Sequence, residues 1–339
     1  MTAGKGAGMR GGARVTSYDV ARLAGVSQSA VSRAFSEGAS ISQEMRTRIR
    51  RAAIELGYAP SNIARALITK RSRLIGVVVT RNTARNNPDI LFHLGQRIQD
   101  AGSRMLVFTL PSDNASDTIL PDLLAYHVDG VIAATSISEE ALAACARHRI
   151  PVVLYNRQGP AAAVACDHAA GMRALIDHLV RVGTRTPAFV AGPLEAPVSE
   201  QRMRGARDAF ASHGIVLLPQ VHSDYSHEGG RQAAARIFAT NRPDTIVCAN
   251  DSMALGVMDA CRHDLGLRVP DDVAVAGFDD IAQAGWPSYA LTTVAQPIEA
   301  LTEAAVRFVV ELVEGNTITQ DTRLMQPRLI MRGSTPKPA

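Results

Sequence analysis

The sequence predicts a small all-α head at the N-terminus, followed by an α/β body built from two parallel β-sheets. Two observations predict the head: it is strongly basic, and its apolar residues recur at helical spacing between Gly and Ser positions. One observation predicts the body, since short β-branched runs alternate with helical stretches along the rest of the chain. The chain of 339 residues is longer than one ordinary domain. Because 46% of its residues are hydrophobic, it can form more than one hydrophobic core.

Charge is distributed unevenly along the chain. Residues 1–73 hold 13 Lys or Arg against 4 Asp or Glu, whereas residues 74–339 hold 23 against 28. A compact basic segment on an acidic body indicates a polyanionic partner at one end, and nucleic acid is the commonest such partner.

The rest of the composition narrows the class of protein. Residues 1–13 are rich in Gly and small residues, which predicts a flexible tail without the apolar stretch of a signal peptide. No run of about eighteen apolar residues occurs, so we expect a cytoplasmic protein with no membrane partner. The cysteines are far apart and lack metal or redox spacing, which predicts reduced, structural thiols, with no metal and no cofactor. They are Cys145, Cys166, Cys248 and Cys261.

A tight turn joins the first two predicted helices. The stretch "TSYDVARLA" ends at Gly25, which accepts a left-handed backbone, and Ser27 can cap a second helix from about Gln28 to Phe35. An isolated helix of this length is not stable in water, so it needs a partner. A short exposed helix behind a glycine turn in a basic unit has the geometry of a helix-turn-helix, whose second helix lies in the major groove of DNA.

The third helix of the head begins after Ser42 and ends at Gly57. We expect the core that holds the second helix to contain Val20, Leu23, Val26 and Val31. Gln28 and Ser29 project from the N-terminal end of the second helix, the part that contacts base edges in the major groove. Arg33 follows one turn later, and its guanidinium can donate two hydrogen bonds to guanine. The alternative is a helical bundle with no role on DNA, because generic helix-turn-helix patterns give many false positives.

Strand-like runs of the body begin after residue 73. They are "LIGVVVT", "RMLVFTL", "GVIAAT", "PVVLYN", "PAFVAG", "DTIVCAN" and "DVAVAGFD". Helical stretches such as "AGMRALIDHLVRVG" separate most of them, which predicts parallel sheets with helices on both faces and length enough for two such units. Sheets of this kind bind ligands at the carboxyl ends of their strands.

Polar side chains follow several of these runs. Asn156 and Arg157 follow "PVVLY", Asn250 and Asp251 follow "TIVCA", Asp279 and Asp280 follow "VAVAGF", and Gln296 follows "LTTVA". Asp279 can accept from two adjacent hydroxyls, Arg202 can donate two bonds to a hydroxyl pair or a carboxylate, and Tyr225 can offer a ring face. For Asp251 and Asp280 we favour capping of strand ends over ligand binding.

The order of motifs along the chain carries a resemblance to a known family. "VTSYDVARLAGVSQSAVSRAF", "ISQEMRTRIRRAAIELGYAPSNIARAL" and "LIGVVV" run almost unbroken over residues 15–79, and together they resemble the head of the LacI (lactose repressor) family of bacterial transcription regulators. "IPVVLYNR", "QRMRGARDAF", "ANDSMALGVMDA", "VAVAGFDD" and "LTTVAQP" resemble the remaining landmarks of that family in order. The resemblance implies a homodimeric repressor of a pseudo-palindromic DNA operator. Its body, similar to periplasmic sugar-binding proteins, would take a small-molecule effector, a sugar or sugar acid.

The resemblance implies roles for residues of the head. Gln28, Ser29 and Arg33 would read bases, while other residues would lie near phosphates, where hydroxyls fix register without reading sequence. These are Thr16, Tyr18, Ser27, Ser32 and Ser42. Residues 60–73 would form a hinge helix and linker, with Asn62 on the DNA backbone and Leu67 as a wedge between base pairs in the minor groove.

The resemblance also implies an effector pocket in the body. It would contain Arg202, Asn250, Asp279 and Gln296, together with Asn156, Arg157 and Tyr225. The first loop departs from the family: where members often show "NPFF", this chain has "TRNTARNNPDILF". Arg81, Arg85, Arg157 and Arg202 outnumber the carboxylates expected near the cleft, which favours an acidic effector such as a sugar acid. Simple exposure of Arg81 and Arg85 to water explains those two residues equally well.

The predicted domain limits follow from these motifs. They are a tail over 1–13, a helix-turn-helix domain over 14–59, the hinge and linker over 60–73, an effector-binding and dimerisation domain over 74–332, and a tail over 333–339. Within the body we predict one subdomain over about 74–160 plus 297–325 and another over about 161–296 plus 326–332. The C-terminus has no heptad pattern, so a dimer is a simpler expectation than a tetramer.

Two other classes of function remain as alternatives on the same α/β body: an enzyme and a cytoplasmic small-molecule-binding protein. The sequence has no glycine-rich phosphate loop, no nucleophile elbow and no metal-ligand spacing, so we expect no enzyme. The sign of regulation stays open at this point, because one DNA-binding head can block or recruit polymerase.

Overall fold

The computed structural model of the chain describes residues 15–35, 39–59, 71–111, 118–318 and 322–337. The chain divides into two compact units between Ser72 and Arg73, which correspond to the head and the body. The predicted fold class is confirmed, because the head is all-α and the body contains two parallel sheets.

The head contains three helices, α1 (Ser17–Ala24), α2 (Gln28–Ala34) and α3 (Gln43–Glu55). Gly25 ends α1 at a φ of 62°, in the left-handed region that favours glycine. The hydroxyls of Ser27 and Ser42 accept from the backbone N–H groups of Ala30 and Met45, and so cap α2 and α3.

Small apolar residues fill the core between these helices. Val20, Val31 and Ile49 are fully buried at its centre. The prediction for Leu23 was wrong, because this side chain is 47% exposed. The core meets the side of α1 that carries Val20, Ala21 and Ala24, and Leu23 lies beyond the edge of that side.

Helices and strands alternate through the body. Its strands are β1 (Leu74–Thr80), β2 (Arg104–Leu110), β3 (Gly130–Ala134), β4 (Val152–Tyr155), β5 (Ala162–Cys166), β6 (Pro187–Ala191), β7 (Val221–His222), β8 (Thr245–Cys248), β9 (Ala274–Ala276), β10 (Thr293–Ala295), β11 (Thr322–Met325) and β12 (Arg328–Ile330). Its helices are α4 (Arg81–Asn86), α5 (Asp89–Asp100), α6 (Leu120–Ala125), α7 (Glu139–Arg147), α8 (His168–Arg181), α9 (Pro197–Ser212), α10 (His227–Thr240), α11 (Asp251–Asp259) and α12 (Ile298–Val313). A π-helical turn (Ala260–Asp264) continues α11, and a 3-10 turn covers Ala282–Gly285.

Two parallel sheets define two lobes of the body. In the first lobe the strand order is β11-β5-β4-β3-β1-β2, and in the second it is β7-β6-β8-β9, with an antiparallel pair β10-β12 beside it. The chain passes between the lobes after β5, between β10 and α12, and between β11 and β12. The strand β5 therefore belongs to the first lobe, so the predicted limit between residues 160 and 161 lies too early.

The C-terminal segment is also different from its prediction. Ser334 and Thr335, expected in a tail, are buried in the second lobe. The Ser334 hydroxyl accepts from the backbone N–H of Thr292 and donates to the carbonyl of Val275, and the Thr335 hydroxyl contacts that of Thr292 at 2.9 Å. These hydroxyls satisfy buried polar groups of the second lobe, so the fold of that lobe extends to the end of the described chain.

The interior of the body is apolar across both lobes. All four cysteines are buried there as free thiols. Within the described part of the chain, no helix is both long and apolar enough to span a bilayer.

Candidate functional site

The predicted DNA-reading residues lie on the surface of the head. Gln28, Ser29 and Arg33 are exposed on α2, as are the predicted phosphate contacts that the structure describes. These contacts are Thr16, Tyr18, Ser27, Ser32 and Ser42. The Arg33 Nε is 3.4 Å from the carbonyl of Ser29, a long bond that holds the side chain only weakly.

Three of these hydroxyl residues also shape the head itself. Thr16 and Asp19 form a reciprocal capping box at the start of α1, and Ser27 and Ser42 cap the next two helices. Each helix N-terminus therefore carries a short hydroxyl side chain, a combination that suits phosphate oxygens. The predicted hinge contacts Asn62 and Leu67 lie outside the described residues.

All the predicted effector-binding residues of the body line one cavity between the lobes. They are Asn156, Arg157, Arg202, Tyr225, Asn250, Asp279 and Gln296. The cavity has a volume of about 160 Å³, many times the roughly 10–15 Å³ that one water molecule needs. It lies at the carboxyl ends of β4, β8 and β9, where open α/β sheets bind ligands.

A chain of hydrogen bonds crosses the cavity wall from one lobe to the other. Asn156 Nδ2 donates to Gln296 Oε1 at 2.8 Å, and Gln296 Nε2 donates to Asp279 Oδ1 at 2.7 Å. The same carboxylate oxygen is 2.8 Å from Arg202 Nη2. Asn156 belongs to the first lobe, whereas Asp279 and Arg202 belong to the second, so the chain couples the positions of the two lobes.

The guanidinium of Arg202 is held on every side. It is 3% exposed, donates to the carbonyl of Ala249 at 2.6 Å, and lies 4.0 Å from the centre of the Phe278 ring. Its Nε is 3.3 Å from Nδ1 of His168, whose pKa is well below the usual range because of burial and the neighbouring positive charge. His168 is therefore neutral and can accept this bond.

The backbone is strained at three of the predicted residues. Asn156, Tyr225 and Asp279 have φ values of 53°, 65° and 124°, in a region that L-residues other than Asn and Asp rarely adopt. Such conformations persist only where the surrounding structure enforces them, and they concentrate at binding sites.

Tyr225 owes its position to a glycine. A Cβ at Gly192 would lie 2.4 Å from the Tyr225 ring, so only glycine permits this packing. The carbonyl of Tyr225 accepts from Asn250 Nδ2 at 3.2 Å, while Asn250 Oδ1 caps α11 through the N–H of Met253. One amide thus connects the backbone of Tyr225 to the start of a helix.

Asp251 and Asp280 lie outside the cavity lining, in agreement with their predicted structural roles. Asp251 is fully buried and accepts from the hydroxyl of Thr293 and the backbone N–H of Ile281. Burial, aided by the charge of Asp279, raises the pKa of Asp251 to about 7. Asp280 forms an ion pair with Arg332 at 2.7 Å.

The lining contains residues that sequence reasoning missed. One group comes from the first loop and helix of the first lobe, and another from the loop that follows β6. They are Thr80, Asn82, Thr83, Asn86, Asn87 and Ile90, then Pro193, Glu195, Ala196 and Val198. The three asparagines of this first segment, Asn82, Asn86 and Asn87, were the signal available in the sequence. Arg81 and Arg85 are exposed and do not line the cavity, so the predicted excess of arginine over carboxylate there is wrong.

Comparison with known sequences yields matches over most of the chain. A family profile described as "Bacterial regulatory proteins, lacI family" matches residues 16–61, and one described as a "Periplasmic binding protein-like domain" matches residues 176–335. The HTH-type transcriptional repressor CytR of Escherichia coli (strain K12) is 30% identical over 328 residues, which cover 94% of this chain and 96% of CytR. The HTH-type transcriptional regulator AscG of the same strain is 29% identical over 336 residues, or 96% and 99% of the two chains.

A solved structure is similar over nearly the whole chain as well. The lac repressor dimer bound to operator and the anti-inducer ONPF has a TM-score of 0.87 and is 29% identical, with 95% of this chain and 99% of that chain covered. The similarity extends over both the head and the body.

Proposed function

The chain belongs to the lacI family of bacterial regulatory proteins, and we propose on that premise that it is a ligand-responsive transcriptional repressor. It binds a pseudo-palindromic operator as a homodimer, and a small molecule in the body cavity controls its affinity for DNA. Its relatives AscG and CytR are named as a transcriptional regulator and a transcriptional repressor, which supports a role in regulation and not in catalysis. Because its partner is genomic DNA, we propose a cytoplasmic location.

One observation carries the proposal: a single chain holds both an exposed recognition helix and a polar cavity in its body. On α2, Arg33 presents a guanidinium suited to guanine, while Gln28 and Ser29 are adaptable readers. The basic charge of the head supplies attraction to phosphates, and the capping hydroxyls supply register.

The cavity favours a neutral, polyhydroxylated effector over an acidic one. Arg202 forms an ion pair with Asp279 at 2.8 Å, and the lining contains one further cationic side chain, Arg157, and one further carboxylate, Glu195, so its formal charges balance. Both bonds that Asp279 accepts fall on Oδ1, which leaves Oδ2 for a ligand hydroxyl. The ring of Tyr225 can cover the apolar face of a sugar.

The chain of bonds through Gln296 supplies a means of control. A ligand that bonds to Asp279 or Asn156 competes for groups that connect the two lobes, and so changes the relative stability of their arrangements. Only a ligand with different affinities for two arrangements can shift them, so the effect on DNA binding follows from differential contacts.

Fluorescence anisotropy tests the proposal directly. A labelled pseudo-palindrome from upstream of the chain's own gene is titrated with protein at fixed salt, with and without a panel of neutral sugars, the matching sugar acids and nucleobases. We expect tight binding that one neutral sugar alters, with a weaker effect from its carboxylate analogue. Equal or stronger action of the carboxylate would refute the charge argument, and absence of specific binding at low salt would refute the regulator.

A further inference from the structure

The hydroxyl of Tyr155 is a buried polar group in the cavity wall for which the described residues supply no hydrogen-bond partner. The side chain of Tyr155 is 1% exposed, and its hydroxyl makes no hydrogen bond to any part of the chain that the structure describes. Native structures rarely leave a buried polar group unpaired, because burial removes its bonds to water. Where such a group lines a cavity, a molecule bound in that cavity can complete the bond.

The position of Tyr155 is that of a ligand contact. It is the last residue of β4, in the interior of the six-stranded sheet, and it lines the cavity together with its neighbour Asn156. Burial raises the pKa of the Tyr155 hydroxyl, and the neighbouring Cys166 and Asp279 add to this effect. The hydroxyl therefore stays protonated at neutral pH and remains a donor.

The side chains of Asn156 and Arg202, by contrast, already have partners within the protein. Asn156 Oδ1 accepts from the backbone N–H of Cys166 at 3.0 Å, and its Nδ2 donates to Gln296. Arg202 bonds to Asp279, the carbonyl of Ala249 and His168. A ligand that bonds to Asn156 or Arg202 must displace one of these partners, whereas a ligand that bonds to the Tyr155 hydroxyl displaces none.

We propose that Tyr155 is a specificity-determining residue of the effector cavity, whose hydroxyl bonds to one hydroxyl or carbonyl group of the effector. This inference rests on the proposed function and deepens it. A site built to bond a ligand hydroxyl discriminates strongly against the analogue that lacks it, because the protein group is then left unpaired. The effector is thus selected for a polar group at the position that faces β4.

The first test needs no ligand and compares two Tyr→Phe variants of the full chain. Tyr289 donates to Asp259 Oδ2 at 3.1 Å, so Tyr289→Phe removes a hydroxyl with a structural partner, whereas Tyr155→Phe removes one without. We expect Tyr155→Phe to melt at or above the temperature of the wild type, and Tyr289→Phe to melt below it. A loss in Tyr155→Phe as large as in Tyr289→Phe would give the hydroxyl a structural role and overturn the inference.

The second test measures binding by isothermal titration calorimetry with D-ribose, D-glucose, D-galactose, cellobiose, cytidine and D-gluconate. For the compound that binds the wild type best, we expect Tyr155→Phe to weaken affinity roughly 2- to 10-fold, the range of one hydrogen bond. Monodeoxy analogues then identify the contacted group: one of them loses affinity for the wild type but not for Tyr155→Phe.

The outcomes separate the two proposals. Equal affinity of wild type and Tyr155→Phe for a bound compound overturns the role of Tyr155 and leaves the repressor intact. If none of the six compounds binds the wild type, the proposed effector class fails, and the inference fails with it.

Discussion

The proposed DNA-reading surface of the head and the cavity of the body differ in how firmly their side chains are held. On α2 the proposed DNA-reading side chains are exposed, and Arg33 is held by one long bond to the backbone. In the cavity, one chain of bonds joins Arg202, Asp279, Gln296 and Asn156, and the side chains of Arg202 and Asn156 are buried. On the proposed roles of these residues, single substitutions on α2 can change DNA specificity without loss of stability. Substitutions in the cavity, in contrast, should change effector specificity and the stability of the body together.

The largest effect expected from this contrast is on Arg202. Arg202→Met leaves the carboxylate of Asp279 buried without its cation, which should lower the free energy of unfolding by about 3–5 kcal/mol. Urea unfolding followed by circular dichroism measures it. Arg204→Met is the matched control on the same helix: Arg204 is 65% exposed and pairs with Glu200 at 3.5 Å, so it should cost less than about 1 kcal/mol. Similar losses of unfolding free energy in both variants would show that the cavity ion pair contributes no more to stability than an exposed one.

The next effect is the pH dependence of stability due to Asp251. Its pKa rises from 3.8 to about 7 on folding, so between these values the native state binds more protons than the unfolded state. The contribution of this group is therefore fully present below about pH 4 and is lost as the pH rises through 7, by a few kcal/mol at about 1.4 kcal/mol per pKa unit.

Urea midpoints of wild type and Asp251→Asn from pH 4 to pH 8 measure this loss. We expect the advantage of the wild type over the variant to shrink steadily as the pH rises. A constant difference across that range would contradict the raised pKa.

A smaller effect, on binding alone, is expected for the recognition helix. Arg33→Ala should cost about 1–3 kcal/mol at one base pair of each half-site and leave the unfolding midpoint unchanged, because the side chain is exposed. Anisotropy titrations against operators substituted one base pair at a time measure it. An equal loss of affinity for every operator sequence would show that Arg33 contacts a phosphate and does not read a base.

The smallest expected effect concerns the stability of the head and separates a capping hydroxyl from one inside the same helix. Ser42→Ala removes the cap of α3, which should cost about 1 kcal/mol and speed hydrogen exchange of the Met45 amide in the full chain. Thr47→Ala is the control, because its hydroxyl bonds to the carbonyl of Gln43 inside the same helix and alanine is the better helix former. Faster exchange in both variants would show that the hydroxyl of Ser42 has no special role as a cap.

By itself, the sequence determined the elements whose physics is local. The helices of the head begin within a residue of prediction, since Ser27, Ser42 and Gly25 specify their ends through caps and a left-handed turn. Runs such as "LIGVVVT" become strands because β-branched residues suit a sheet buried on both faces. The polar residues at the strand ends were predictable for the same reason, because parallel strands direct their carboxyl ends to one edge.

Tertiary structure alone decided what depends on distant neighbours. The alanine-rich β5 has weak strand propensity and is a strand because it lies between β4 and β11. Leu23 is exposed because the core of the head meets another side of α1. Thr335 is buried where its hydroxyl lies within hydrogen-bond distance of Thr292 Oγ1 and His178 Nε2. Asn156 and Gln296 are 140 residues apart in the chain, so their bond, and the unpaired hydroxyl of Tyr155 beside it, follow only from how the lobes close around the cavity.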